Sequence, residues 1–218
     1  MQPSIFASRS ARAFVSVAGL VLAGGLGVGA AVLAAADRPA APAAALPAAE
    51  GSFSLDPVHS YVIFQIKHLG TSNSYGMFHE PSGKLVMATD PAASTLEISV
   101  PAEKVDTGSD KRDQHLRSPD FFSVKEFPAI TFKSTSFKPA GNNAFEVTGD
   151  LTLHGVTKPV TTKLEVLGSG KGMKGEDILG AETKFTIKRS DWGMKTYVKE
   201  GALGDDVTLT VAIEAHKN

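Results

Sequence analysis

Between Val105 and Thr162 the chain changes its period, and this constrains the fold more than any other feature. VDTGSDKRDQHLRSPDFF is polar and helix-like over Asp110 to Leu116, and ends in paired aromatics. FPAITFKSTSF and FEVTGDLTLHGVTKPVTT then alternate apolar and polar residues one by one. Ile130 and Phe132 oppose Thr131 and Lys133; Phe145, Val147, Leu151 and Leu153 oppose Glu146, Thr148, Asp150 and Thr152. A period of two places one face of a sheet in a core and the other in water.

The same pattern recurs along the chain. His59 to His68 sets Val62, Phe64 and Ile66 against Tyr61, Gln65 and Lys67; Tyr75 to Ala88 and Thr95 to Pro101 follow, the latter with Leu96, Ile98 and Val100 on one face. Further strands are expected over Val160 to Leu167, Ala181 to Lys188 and Val207 to Ala215. Turn residues separate them at Asp90-Pro91, Gly141-Asn142-Asn143, His154-Gly155, Gly168 to Gly175 and Gly204-Asp205. The single helix, Asp110 to Leu116, has Thr107, Ser109 or Asp110 as cap candidates and stops at Ser118-Pro119. With no alternation of strands and helices, a parallel sheet is not expected. About eight short strands suit an antiparallel barrel or a sandwich, and closure removes exposed edges, which favours the barrel.

Residues 1–36 read as a targeting segment. Arg9 and Arg12 precede a charge-free run from Ala13 to Ala36, and Ala34-Ala35-Ala36 offers a small-residue cleavage site before Asp37. The run is also long enough for an N-terminal membrane anchor, although five glycines dilute it. Both readings export the remainder to the periplasm. Residues 37–51 form an Ala/Pro-rich linker, and 52–218 a single domain. The absence of cysteine excludes a disulfide framework and thiol chemistry. Removing residues 1–36 takes two arginines and no acids, moving the formal net charge from −1 to −3, so there is no basic field for nucleic acid.

Catalytic patterns are weak. Six histidines (His59, His68, His79, His115, His154, His216) lack metal-site spacing, although neighbouring strands can bring two together; they read as hydrogen-bonded loop and strand-end residues, with His154 in a turn. Asp113, His115 and nearby serines evoke a triad without a nucleophile elbow. GSGKGMKG at 168–175 lacks the phosphate-loop pattern and reads as a hairpin loop. On the helix, Asp113 and Arg117 are spaced to pair. Alternatively, the helix lies over a barrel mouth and offers Arg112, His115 or Arg117 to a polar or anionic head group. The aromatics fit a packed core equally well, and an eight-stranded barrel can be filled or hold one small ligand.

Taken together, FSLDPVHSYVIFQIKHLG, DTGSDKRDQHLRSPDFF, FPAITFKST, VTGDLTLHGVTKPV, KRSDWGM and GDDVTLTVAIEA resemble, in that order, the YceI-like family of exported bacterial proteins. The resemblance covers Ser52 to Asn218. It implies an all-β, eight-stranded, antiparallel lipocalin-like barrel with one short helix beside its mouth. It also implies a non-enzymatic role, with no cofactor or metal, in holding a polyisoprenoid or similar long amphiphile such as an isoprenoid quinone, and allows a homodimer.

By position, the pore lining would come from Val62, Phe64, Ile66, Phe78, Leu96, Ile98, Phe132, Phe185 and Trp192. Phe121 and Phe122 would close the helix against the barrel, and His68, Arg112, His115 and Arg117 would form a polar mouth. Two departures stand out. The family's Arg-Gly-x-Phe word is Tyr75-Gly76-Met77-Phe78 here, which removes a cation. Its Ser-Asp-Phe-Gly is Ser190-Asp191-Trp192-Gly193, where a larger ring would shorten the pore. The competing readings are a filled barrel acting as a structural or stress-related interaction module, and a metal-dependent hydrolase built on His68, His115 and Asp113.

Overall fold

The computed structural model describes residues 49–218; the segment read as a leader or anchor, and nearly all of the linker, lie outside the described residues. The strands are β1 (Gly51–Leu55), β2 (Tyr61–His68), β3 (Ser72–Phe78), β4 (Ser82–Met87), β5 (Thr95–Pro101), β6 (Val105–Asp106), β7 (Ala129–Pro139), β8 (Ala144–Leu153), β9 (Val156–Lys171), β10 (Asp177–Lys188) and β11 (Leu203–Lys217). The helix α1 spans Asp110–Leu116, as its polar pattern predicts. All strand pairings are antiparallel. The order β1-β4-β5-β7-β8-β9-β10-β11 closes on itself through β1 and β11, which makes an eight-stranded barrel.

Two wall strands are broken. The long β11 pairs with β2 along Leu203–Ala212 and with β1 along Ala215–Lys217, so β1 and β2 are two segments of one wall strand. β3 and β4 likewise follow one another, β3 beside β2 and β4 beside β1. The stretch 75–88, expected as one strand, therefore splits at His79–Pro81, where Glu80 takes a left-handed φ of 59° and Pro81 has no N–H to donate. β1 has no counterpart among the strands expected from the sequence, and neither has the two-residue β6.

The break has a consequence at one end. β5 pairs with β4 but not with β3; β3 pairs instead with β6, which leads into α1. The helix and the loop to Phe127 thus take the place of a ladder in the wall. At the opposite end the core is solid: Phe53, Leu85, Leu179, Ala181 and Ala215 have no exposed surface. His154 (φ 50°) and Gly155 (φ 73°) form the tight β8–β9 turn, both left-handed as a two-residue hairpin requires.

Candidate functional site

Near α1 the barrel is hollow. A cavity of about 490 Å³ runs inside it, within the range of small-molecule pockets. Its wall is overwhelmingly aliphatic and aromatic, supplied by alternate residues of β2, β5, β7, β8, β10 and β11. Two glycines make room for the largest rings. A Cβ on Gly76, directly across from Phe64, would lie 2.3 Å from that ring; one on Gly149 would lie 2.4 Å from Phe132. Each ring therefore lies over the bare backbone of a neighbouring strand.

One side of the cavity is closed by a row of rings. Phe64 and Phe78 are 5.8 Å apart, and Phe78 meets Phe122 edge-on at 5.3 Å. Next to them, Phe121, His115 and Tyr197 form a second group, with His115 5.0 Å from Phe121. These contacts join α1 and its exit loop to the barrel and to the β10–β11 loop.

Polar groups of the lining concentrate at this end. Arg112 donates from Nε to Thr107 Oγ1 (2.7 Å) and from Nη2 to Thr107 O (2.7 Å); Nη1 makes no hydrogen bond among the described residues. Asp113 is buried and accepts from Thr107 N (3.0 Å) and Thr107 Oγ1 (2.5 Å). His115 is hydrogen-bonded to Asp120 at 2.9 Å and not to Asp113. Arg189 is buried against the β10–β11 loop and donates to the carbonyls of Gly204, Met194 and Thr196. Burial lowers its pKa from the usual arginine value and Asp205 opposes the shift; a guanidinium stays charged under such a change. The neighbouring Asp205 carboxyl is pushed up by burial, but hydrogen bonds from Ser190 N and Oγ outweigh this and hold it below its ordinary range.

Of the residues proposed for the lining and mouth, all but Arg117 and Trp192 line this cavity. Arg117 neither pairs with Asp113 nor faces the cavity; its guanidinium donates to the carbonyls of Glu103 and Val105 and braces the approach to α1. Asp113 is already engaged by Thr107, which is why the i,i+4 pair does not form. Nor does the cap form as expected: Ser109 occupies the cap position without a side-chain bond.

Trp192 does not line the cavity but packs behind its wall. It sits on a 3-10 turn, donates from Nε1 to Leu151 O (3.2 Å) and packs with Leu153, Ile187 and Met194 at the rim. The sequence reading missed Thr162 and Thr183, whose hydroxyls are hydrogen-bonded at 2.5 Å within the apolar wall. Period two places both inward, so their position was legible although their pairing was not. Arg189 and Tyr197 were also missed, because they belong to an irregular loop without period.

A YceI-like domain model matches residues 53–215. The chain belongs to the YceI-like family. Protein YceI of Escherichia coli O157:H7 is 38% identical over 168 residues, covering 77% of this chain and 86% of that one. A UPF0312 protein of Pseudomonas aeruginosa (strain LESB58) matches to the same extent. Among solved structures, the Campylobacter jejuni YCEI protein shares 32% identity with a TM-score of 0.63, covering 70% of this chain and 90% of that one. A polyisoprenoid binding domain from Saccharophagus degradans, implicated in plant cell wall breakdown, has a TM-score of 0.62 at 17% identity, covering 76% and 98%; at that identity the likeness concerns the fold.

Proposed function

We propose that this YceI-like protein is an exported, non-enzymatic carrier that holds the apolar chain of a polyisoprenoid or similar long amphiphile, such as an isoprenoid quinone, with its head group at the α1 end. The observation that carries this reading is the cavity itself: one half of the barrel is hollow and apolar, and its charged and histidine side chains lie at the mouth. The Saccharophagus degradans domain, whose described ligand class is polyisoprenoid, shares the barrel. A fully filled barrel, the second reading of the sequence, does not agree with this interior.

Energetics favour exchange or sequestration over a tight sink. Each buried methylene is worth about 0.8 kcal/mol relative to water. A long prenyl chain starts in a membrane, however, and moving it between two apolar media is close to neutral. Measured affinities in any case saturate near about 18–21 kcal/mol. Arg112 Nη1, without a hydrogen bond among the described residues, is one donor at the mouth for a carbonyl, hydroxyl or anionic head group.

The test is organic extraction of the purified folded chain followed by mass spectrometry. A prenyl-type lipid near one per chain, or one per dimer, is expected. Phe64→Arg and Phe132→Asp, which place charge in the cavity wall, are expected to remove it. Unchanged loading in a folded variant would reject the proposed lining. A clean extract, repeated after incubation with membranes, would reject the carrier reading.

A further inference from the structure

Away from the cavity, the β1–β2 break meets β11 at a cluster of four metal-competent side chains. Asp56 Oδ2 lies 2.7 Å from His59 Nδ1 and 3.5 Å from His216 Nε2. Glu214 Oε1 lies 3.6 Å from His59 Nδ1 and 3.4 Å from His216 Nε2. We propose that Asp56, His59, Glu214 and His216 form a site for one Zn²⁺ ion on the outer wall of the barrel.

The spacing approaches what Zn²⁺ requires. Zn²⁺ binds nitrogen and oxygen at about 2.0–2.2 Å, which sets ligand atoms about 3.3–3.6 Å apart. Three of a tetrahedron's six edges already fall there, and Asp56, His59 and Glu214 converge within 4.8 Å of one another, with His216 the outer fourth ligand that has to move in. The Asp56–His59 contact is a hydrogen bond, so binding requires the 60% exposed His59 ring to turn outward and His216 to turn inward. Two imidazoles and two carboxylates neutralise a divalent ion. Mixed nitrogen and oxygen donors select zinc-like metals over Ca²⁺ or Mg²⁺, which take oxygen shells.

The scaffold orients these donors. Asp56 Oδ1 is taken by the N–H of Val58 (2.8 Å), so Oδ2 alone faces the cluster. The Asp56 N–H donates to Glu214 O (2.8 Å), and Ser60 Oγ bonds both the N–H and the carbonyl of Glu214 at 3.1 Å. Glu214 and His216 flank Ala215, which has no exposed surface, so on alternating strand geometry they point away from the core. Elsewhere, histidine and acid meet one to one, as in His79–Asp106 (3.1 Å) and His115–Asp120 (2.9 Å). Among the described residues, Asp56, His59 and Glu214 are the one group whose donor atoms converge tightly enough for a metal ion.

The location supplies a role. β1 and β11 pair only through Phe53↔Lys217, Ser54↔His216 and Leu55↔Ala215, and this short ladder closes the ring. Asp56 and His59 lie in the connection between β1 and β2. An ion there ties both segments of the broken strand to β11 and locks the seam without entering the cavity.

The probe is Zn²⁺ titrated into the purified, chelator-stripped full chain against a chromophoric competitor, with Co²⁺ absorption reporting geometry. One equivalent with a tetrahedral Co²⁺ spectrum is expected, together with a Zn²⁺-dependent rise in Tm. His59→Ala and His216→Ala should each weaken binding by about 100-fold or more, at or beyond the 10–100-fold cost of losing an outer partner. His79→Ala, which removes a simple His–Asp pair, should leave it unchanged. Glu214→Gln, nearly isosteric, keeps the test valid if a histidine variant loses its fold by circular dichroism. A chain that binds no equivalent, or one that binds an ion retained by the variants, overturns the site.

Discussion

The two ends of the barrel are built from the same strands with the same alternation, yet one is solid and the other hollow. β11 shows this most clearly. Ile213 and Ala215 are buried in the packed end, whereas Val207, Leu209 and Val211, on the same inward face, are half-exposed to the cavity. β10 repeats the contrast, with Leu179 and Ala181 fully buried and Phe185 half-exposed to the interior. Residue type does not separate the two sets. What differs is the wall: the packed end has β1 and β4 in a continuous ring, while at the other end β3 leaves β5 and a helix takes over. An interior closed by a ladder draws together to native packing density, whereas one closed by a helix and aromatic rings keeps a void.

Substitutions can break this contrast, the largest effect coming from the packed end. Phe53→Ala removes a fully buried ring and is expected to cost about 3–5 kcal/mol in denaturant unfolding. Phe64→Ala should cost less than half as much while reducing lipid loading, because its ring borders existing space; equal costs would mean the two ends are packed alike. Gly76→Ala drives a methyl into the Phe64 ring, with an expected loss of about 1–3 kcal/mol and lower cargo.

Acid sharpens the comparison at the mouth. The Asp205 carboxyl is held below its unfolded value, so its contribution is present above the unfolded pKa of about 4 and is lost as pH falls through the lower folded pKa. Acid should therefore loosen the β10–β11 loop, as read by amide hydrogen exchange, and Asp205→Asn should remove that dependence. The smallest effect is expected for Lys133→Ala. Its exposed pair with Glu97 lies on the outer wall, and its loss should leave the denaturant midpoint essentially unchanged.

Much of the fold was legible because period two survives wherever a strand has one dry face. The helix boundaries followed from its polar run and Ser118-Pro119. The split of β3 from β4 was not legible, since both segments keep their alternation across His79–Pro81. Within the site, the inward rings could be read by parity, but the solid and hollow ends could not, because Ile213 and Val211 look alike in sequence. Arg117 and Trp192 were misplaced for a shared reason: both sit on irregular segments where neighbouring carbonyls, not period, fix the direction of the side chain. The Asp56–His216 cluster was hidden by sequence distance, which only the closure of β1 on β11 removes.

The central claim is that cargo occupies the hollow half alone, and methyl NMR during titration with a short prenyl quinone tests it most directly. Val62, Leu151, Leu209 and Val211 should shift together and saturate at one stoichiometry, while Leu85 and Leu179 stay in place. Shifts centred on Leu85 and Leu179, or confined to exposed methyls such as Leu167, would contradict it.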